Sequence, residues 1–192
     1  GLTGNFYNYS QRSYLLSPCF DFTSVPDPFI SFSIFWDTEN QYDGASFQYS
    51  IDGGFTWNYI GSYGAITNCL NGNWFNTNNI NNLTTLGSNP KNGWSGNTQV
   101  TSGSCTGGGG SGQWVTAKQQ IGFLGGFASV QFRFTFGAGS QCNNYNGFAV
   151  DDIYVGASPI PLAANFNNTP AGCNTANGSS TINVTGGVAT YN

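Results

Sequence analysis

The chain has 192 residues, with four basic and eight acidic side chains, no histidine and a net charge of −4. Arg12, Lys91, Lys118 and Arg133 are scattered, so no basic patch exists to neutralise phosphates, and nucleic acid is not an expected partner. Charged residues make up 6 % and aromatics 16 %; a disordered chain shows the reverse balance. No run of ~18 apolar residues is present, so no membrane insertion is expected within these residues.

The first predicted strand spans 14–22, and its Ser17-Pro18 step marks an edge or a bulge. After the turn at 25–28, residues 29–36 (FISFSIFW) alternate. Ile30, Phe32, Ile34 and Trp36 share an apolar face that points to a core, and Phe29, Ser31, Ser33 and Phe35 share the other. An acidic connection follows, residues 37–44. Strand 45–51 then pairs with 55–60 across Asp52-Gly53-Gly54 as a hairpin.

No periodicity survives from 61 to 112. A structureless loop of that length is unusual in a compact domain, so short strands are expected near Trp74-Phe75 and over 97–101. Regular strands resume at 113–119 and at 128–136, where Val130, Phe132, Phe134 and Phe136 form an inward row with Arg133 on the solvent side. The last is 148–155 (FAVDDIYV). No helical period appears. Short strands with turn signals predict an all-β fold: an antiparallel jelly-roll β-sandwich over 1–157.

Residues 158–192 read as a linker and the incomplete start of an Ig-like β repeat. Thr181, Asn183 and Thr185 alternate with Ile182 and Val184 as a half-buried strand, and Gly186-Gly187 makes a turn. One strand and a turn bury no core. The chain also lacks Met, and it reads as part of a longer protein.

Five cysteines are present and none forms a CxxC, so zinc is not expected. A disulfide between Cys69 and Cys105 would fix the middle region, and Cys19 and Cys142 lie near strand ends that a bridge could join. The alternative is that some are free buried thiols.

Catalysis is not expected. Without histidine, no Ser-His or Cys-His pair can form, and Glu39 is the only glutamate, which leaves little for acid–base work. Asp37, Glu39 and Asp43 share one loop. Asp151 and Asp152 are adjacent on a strand, so one of them faces inward, and the shared face with Ile153 and Val155 makes it Asp151. A buried carboxylate needs a partner. Structural calcium is one answer, with these five residues as its candidate ligands; backbone N–H donors are the other. Trp74, Trp94 and Tyr145 lie among Asn and Gly, the surroundings of a glycan-stacking site. The alternative is that the tryptophans plug the ends of the sandwich.

Four segments (SPCFDF, FSIFWDTENQYDGASFQYSIDGGFTW, VQFRFTFGAG and GFAVDDIYV) together resemble the MAM-like or concanavalin-like jelly-roll modules of secreted proteins. CNTANGSSTINVTGGVATYN resembles the start of the SprB-type repeats of Bacteroidetes gliding-motility adhesins. The resemblance implies a non-catalytic module of a large cell-surface adhesin, exported by the type IX secretion system and attached at the outer membrane. It would mediate or space contact with a glycan, another surface or neighbouring modules. A structural subunit of an extracellular filament and a carbohydrate-binding domain of a secreted hydrolase are the competing readings. Residues 50–57 also fit the Asp-box pattern S-x-D-x-G-x-T-W, found in sialidases and in many non-enzymes. Its physics is local: Asp52 caps turn N–H groups, Gly53 and Gly54 take positive φ, and Trp57 packs on the hairpin.

Overall fold

A computed structural model describes residues 6–83, 91–159 and 163–185. The chain divides into two compact units, Gly1–Ser158 and Pro159–Asn192. The first holds strands β1 (Arg12–Phe20), β2 (Pro28–Asp37), β3 (Gly44–Ser50), β4 (Asn58–Tyr59), β5 (Trp94–Ser95), β6 (Val115–Gln120), β7 (Val130–Gly137) and β8 (Gly147–Ala157). Among the described residues its one short helical turn is 3₁₀, at Gly122–Leu124. One sheet runs β1-β7-β3-β4, with β5 also on β3, and the other runs β6-β2-β8. All strand pairings are antiparallel, and the fold is an all-β sandwich. No helix among the described residues is long and apolar enough to cross a membrane.

Alternation builds the interior as the sequence predicts. Ile30, Phe32, Ile34 and Trp36 of β2 face Ala45 and Phe47 of β3 and Val130, Phe132 and Phe134 of β7 in one core cluster. Phe136 is only partly buried against it. Phe32 sits at the centre, with ring centroids 4.8 Å from Phe134, 5.2 Å from Phe47, 5.5 Å from Trp74 and 6.0 Å from Trp94. On the other face of β7, Arg133 donates through Nε to Gln48 Oε1 at 2.7 Å and lies 4.2 Å from the centre of the Trp57 ring.

The middle region differs from expectation. Trp74 and Phe75 are not in a strand, and neither is 97–101. The strand there is β5, and isolated bridges join Gly72 to Lys118, Thr77 to Gly93 and Asn79 to Lys91. The reason lies in the tryptophans. Trp94 Nε1 donates to Asn73 O at 3.1 Å, and Trp74 Nε1 donates to Ile60 O at 2.7 Å. Each ring enters the core while its N–H closes a loop carbonyl. Side-chain anchors replace backbone ladders here, and they leave no period to read.

The second unit contains strands β9 (Ala163–Thr169) and β10 (Ser179–Thr185), paired antiparallel without a break. The Gly186-Gly187 turn and residues 160–161 of the linker lie outside the described residues.

Because Phe32 touches four aromatic neighbours, Phe32→Ala is expected to cost about 3–5 kcal/mol. Chemical denaturation reads this directly; a loss below about 1 kcal/mol would contradict the packing described.

Candidate binding surfaces and the acidic loop

Asp43 is fully buried where β3 begins. Its Oδ2 accepts from Tyr7 Oη at 2.8 Å, and its Oδ1 accepts from Asn82 Nδ2 at 2.9 Å and Gly139 N at 2.7 Å. Burial pushes this carboxyl up, and the three donors and the Arg12 charge oppose that. Burial and the adjacent Asp43 charge push the Tyr7 hydroxyl far above its ordinary value. At the end of β2, Asp37 Oδ1 accepts from Gly109 N at 2.9 Å, and Oδ2 accepts from Asn146 N and Nδ2 at 3.2 and 2.7 Å. These two carboxylates are staples. They tie the β2–β3 connection to the N-terminal segment, the Gly-rich loop and the β7–β8 connection.

Glu39 lies between them and is 4 % exposed. Burial first, then the Asp43 charge, pushes its carboxyl up to about 7. Its backbone joins the same network: Ser95 Oγ lies 3.0 Å from Glu39 O and 2.7 Å from Asp43 O, and it accepts from Gln41 N at 2.9 Å.

The five candidate calcium ligands do not meet. Asp37 pairs with Gly147 and Ser33 with Asp151, so Asp151 stands four residues, or about 13 Å, along the strand from Asp37. Asp151 and Asp152 are both exposed, which corrects the inward placement of Asp151. Two residues of β8, Asp152 and Ile153, lie between the partners of Ser31 and Ser33, where Phe32 alone stands on β2, and Asp152 takes φ 52°. This bulge shifts the alternation, so Ile153 and Val155 face inward while Asp151 faces out beside Ser33. Among the described residues no group of three or more Asp, Glu, His or Cys is placed to hold a metal ion. N–H groups aim at Asp37 and Asp43, the reverse of the polarity a cation needs, so these residues do not fit calcium.

The aromatic candidates also move. Trp94 is fully buried, Trp74 is 9 % exposed and Tyr145 is 4 % exposed. None offers a face to a ligand; both tryptophans belong to the core cluster, in ring contact with Phe32. Tyr145 packs on Gly108, whose φ of +87° and missing Cβ admit the ring, and its hydroxyl donates to Ser104 O at 3.1 Å.

The disulfide joins Cys105 to Cys142, and Cys19, Cys69 and Cys173 are free and exposed. Both expected pairings are therefore corrected. Cys19 is opposite Gln131 at the start of β7, whereas Cys142 follows the far end of that strand. The Gly-rich loop folds instead against the β7–β8 connection and brings Cys105 to Cys142.

The 50–57 hairpin follows its local physics. Asp52 accepts from Thr56 N at 2.9 and 3.0 Å and from Thr56 Oγ1 at 2.5 Å. These bonds hold its carboxyl down to about 2. Gly53 and Gly54 have φ of +74° and +90°, and Trp57 Nε1 donates to Gly54 O at 2.9 Å.

One exposed aromatic surface does form, on the outer face of sheet β6-β2-β8. Trp114 is 54 % exposed with its ring 6.3 Å from Phe35 at one end; Tyr154 is 49 % exposed with its ring 6.4 Å from Phe29 at the other. Between them Ser33 pairs with Thr116 and Asp151, and Ser31 pairs with Lys118 and Tyr154. Residues paired directly opposite share a face, so hydroxyls, the Asp151 carboxylate and the Lys118 ammonium lie between the aromatic ends, and Asp152 joins them through Ser33 Oγ, 3.2 Å from its Oδ2. The alternation of 29–35 already showed the central row, but only the pairing of β2 with β6 and β8 adds Trp114 and Tyr154.

No protein-family model matches the chain, and no curated protein matches it.

Glu39 gives a signed pH dependence. A carboxyl at about 7, raised from 4.5, binds its proton more tightly in the native state, so stability falls as pH rises through that window. Glu39→Gln is expected to flatten this fall and gain about 1–2 kcal/mol near pH 8; a melting profile parallel to the parent's would contradict it. Replacing Cys105 and Cys142 together by Ala is expected to cost about 3–4 kcal/mol, read by denaturant titration. An unchanged midpoint would contradict the bridge.

Proposed function

We propose that this chain is a non-catalytic module of a large cell-surface adhesin, which holds a glycan or another surface or spaces such a contact from the cell. The observation that carries the reading is the outer face of sheet β6-β2-β8. Exposed rings at both ends of a row of hydroxyls and carboxylates suit a sugar chain: the rings stack on C–H faces and the polar groups bond hydroxyls. The polar groups that resemble catalytic machinery have other work. Asp37 and Asp43 are filled by donors, and Asp52 caps its own hairpin.

The jelly-roll description of the sandwich, its kinship with MAM-like modules, the SprB-type reading of residues 158–192 and outer-membrane attachment after type IX export belong to the same proposal. The Cys105–Cys142 bridge accords with an oxidising location.

A glycan array tests it. The parent protein is expected to bind a defined set of glycans. Trp114→Ala is expected to weaken that binding at least about tenfold without changing the melting temperature, because the ring is more than half exposed. An array with no signal from the parent, or full binding by the variant, would overturn the glycan reading.

A further inference from the structure

The outer face of sheet β1-β7-β3-β4 gathers polar groups that meet no partner. Leu16 of β1, Arg133 of β7, Gln48 of β3 and Tyr59 of β4 stand opposite one another across the four strands, so they share that face. The next row on it is Tyr14, Thr135 and Ser46. Gln48, Ser46 and Thr135 are at most 1 % exposed. Among the described residues, five buried side-chain atoms lack a hydrogen-bond partner, and four of them lie here: Gln48 Nε2, Tyr59 Oη, Ser46 Oγ and Thr135 Oγ1. Buried polar groups are nearly always met, so their concentration on one face calls for a physical reason.

Arg133 stands in the middle of this row. Its Nε is engaged by Gln48 Oε1 and its guanidinium lies over the Trp57 ring, and these two contacts fix the plane of the fork. Its Nη groups have no acceptor and it has no ion pair among the described residues. Asp52, in the hairpin that carries Trp57, is already filled by Ser50 and Thr56. Burial pushes the guanidinium down, and the groups that oppose this are the Tyr14 and Tyr59 hydroxyls, which places both beside it. A half-buried cation without a counter-charge is costly. The planar fork matches a carboxylate, which accepts two parallel bonds from it. Tyr14, diagonal to Arg133 across the β1–β7 pair, is 65 % exposed.

We propose that this face binds a carboxylated sugar of the uronic acid class. The carboxylate takes the two Nη groups of Arg133 side by side, and the sugar ring lays its C–H face on Tyr14. Gln48 Nε2 and the Tyr59 hydroxyl, next in the row, are unmet donors of the same polarity, and no unmet carboxylate stands among them. A bare carboxylate shares the charge but has no flat C–H face to stack, which is why the pairing of Arg133 with an exposed tyrosine points to a sugar. The inference does not rest on the aromatic face of sheet β6-β2-β8, which is the other side of the sandwich.

NMR titration of the 15N-labelled full chain tests it. The chain has two arginines, Arg12 and Arg133, so two Nε–H signals locate a bound anion. Sodium glucuronate is expected to shift the Arg133 signal to saturation. Glucose, which lacks the carboxylate, is expected to leave it in place, and acetate and sulfate are expected to bind at least about tenfold more weakly than glucuronate. Arg133→Gln is expected to weaken glucuronate binding at least about tenfold, read at the Gln48 backbone amide, and circular dichroism checks that it folds. Tyr14→Ala, at an exposed site, is expected to weaken glucuronate but not acetate, and it carries the test if Arg133→Gln does not fold. No saturable shift at Arg133, acetate or sulfate binding as tightly as glucuronate, or full binding by either folded variant would each overturn the proposal. A glycan held on the other sheet leaves the Arg133 signal unmoved, so the two readings fail separately.

Discussion

The structure depends on the burial of Phe32 between the two sheets. Its ring meets Phe47 and Phe134 from the facing sheet and Trp74 and Trp94 from the middle region, so one side chain couples the regular strands to the long irregular segment. Each aromatic pair adds about 0.5–1.5 kcal/mol beyond the area it hides, and these contacts continue through Phe132, Phe148 and Phe75. A chain with only four basic and eight acidic residues has few ion pairs to draw on. Aromatic burial takes that role.

What charge there is serves the loops. Asp37 and Asp43 collect N–H and O–H donors from four separate segments, and Ser95 and Asn76 link β5 to the acidic connection and to Trp36. Such a network tolerates burial because its acceptors are met. Glu39 is the exception, a buried carboxyl beside the Asp43 charge. The acidic loop is thus a structural joint.

The strands were legible where one face is wet. FISFSIFW and VQFRFTF alternate cleanly because polar side chains interleave their inward apolar rows, and β1, β2, β3, β6, β7 and β8 lie within a few residues of their predicted spans. The middle region was not legible: Trp74 reaches the core from a loop and Trp94 from the two-residue β5, and hydrogen bonds from indole N–H groups carry no sequence period. Asp151 was misplaced because a bulge at Asp152 resets the alternation, a feature that depends on one left-handed backbone angle. The disulfide could not be read from spacing, since it depends on where the Gly-rich loop folds back. The aromatic face was half visible. The Phe29–Phe35 row followed from β2 alone, while Trp114 and Tyr154 required knowledge of which strands flank it.

The claim that tryptophans of an irregular region form the core is tested most directly by 19F NMR of protein labelled with 5-fluorotryptophan, comparing H2O with D2O. The account predicts that the resonances of Trp36, Trp74 and Trp94 show little solvent isotope shift, while that of Trp114 shows a large one. Large shifts at Trp74 and Trp94 would place those rings in water and contradict it.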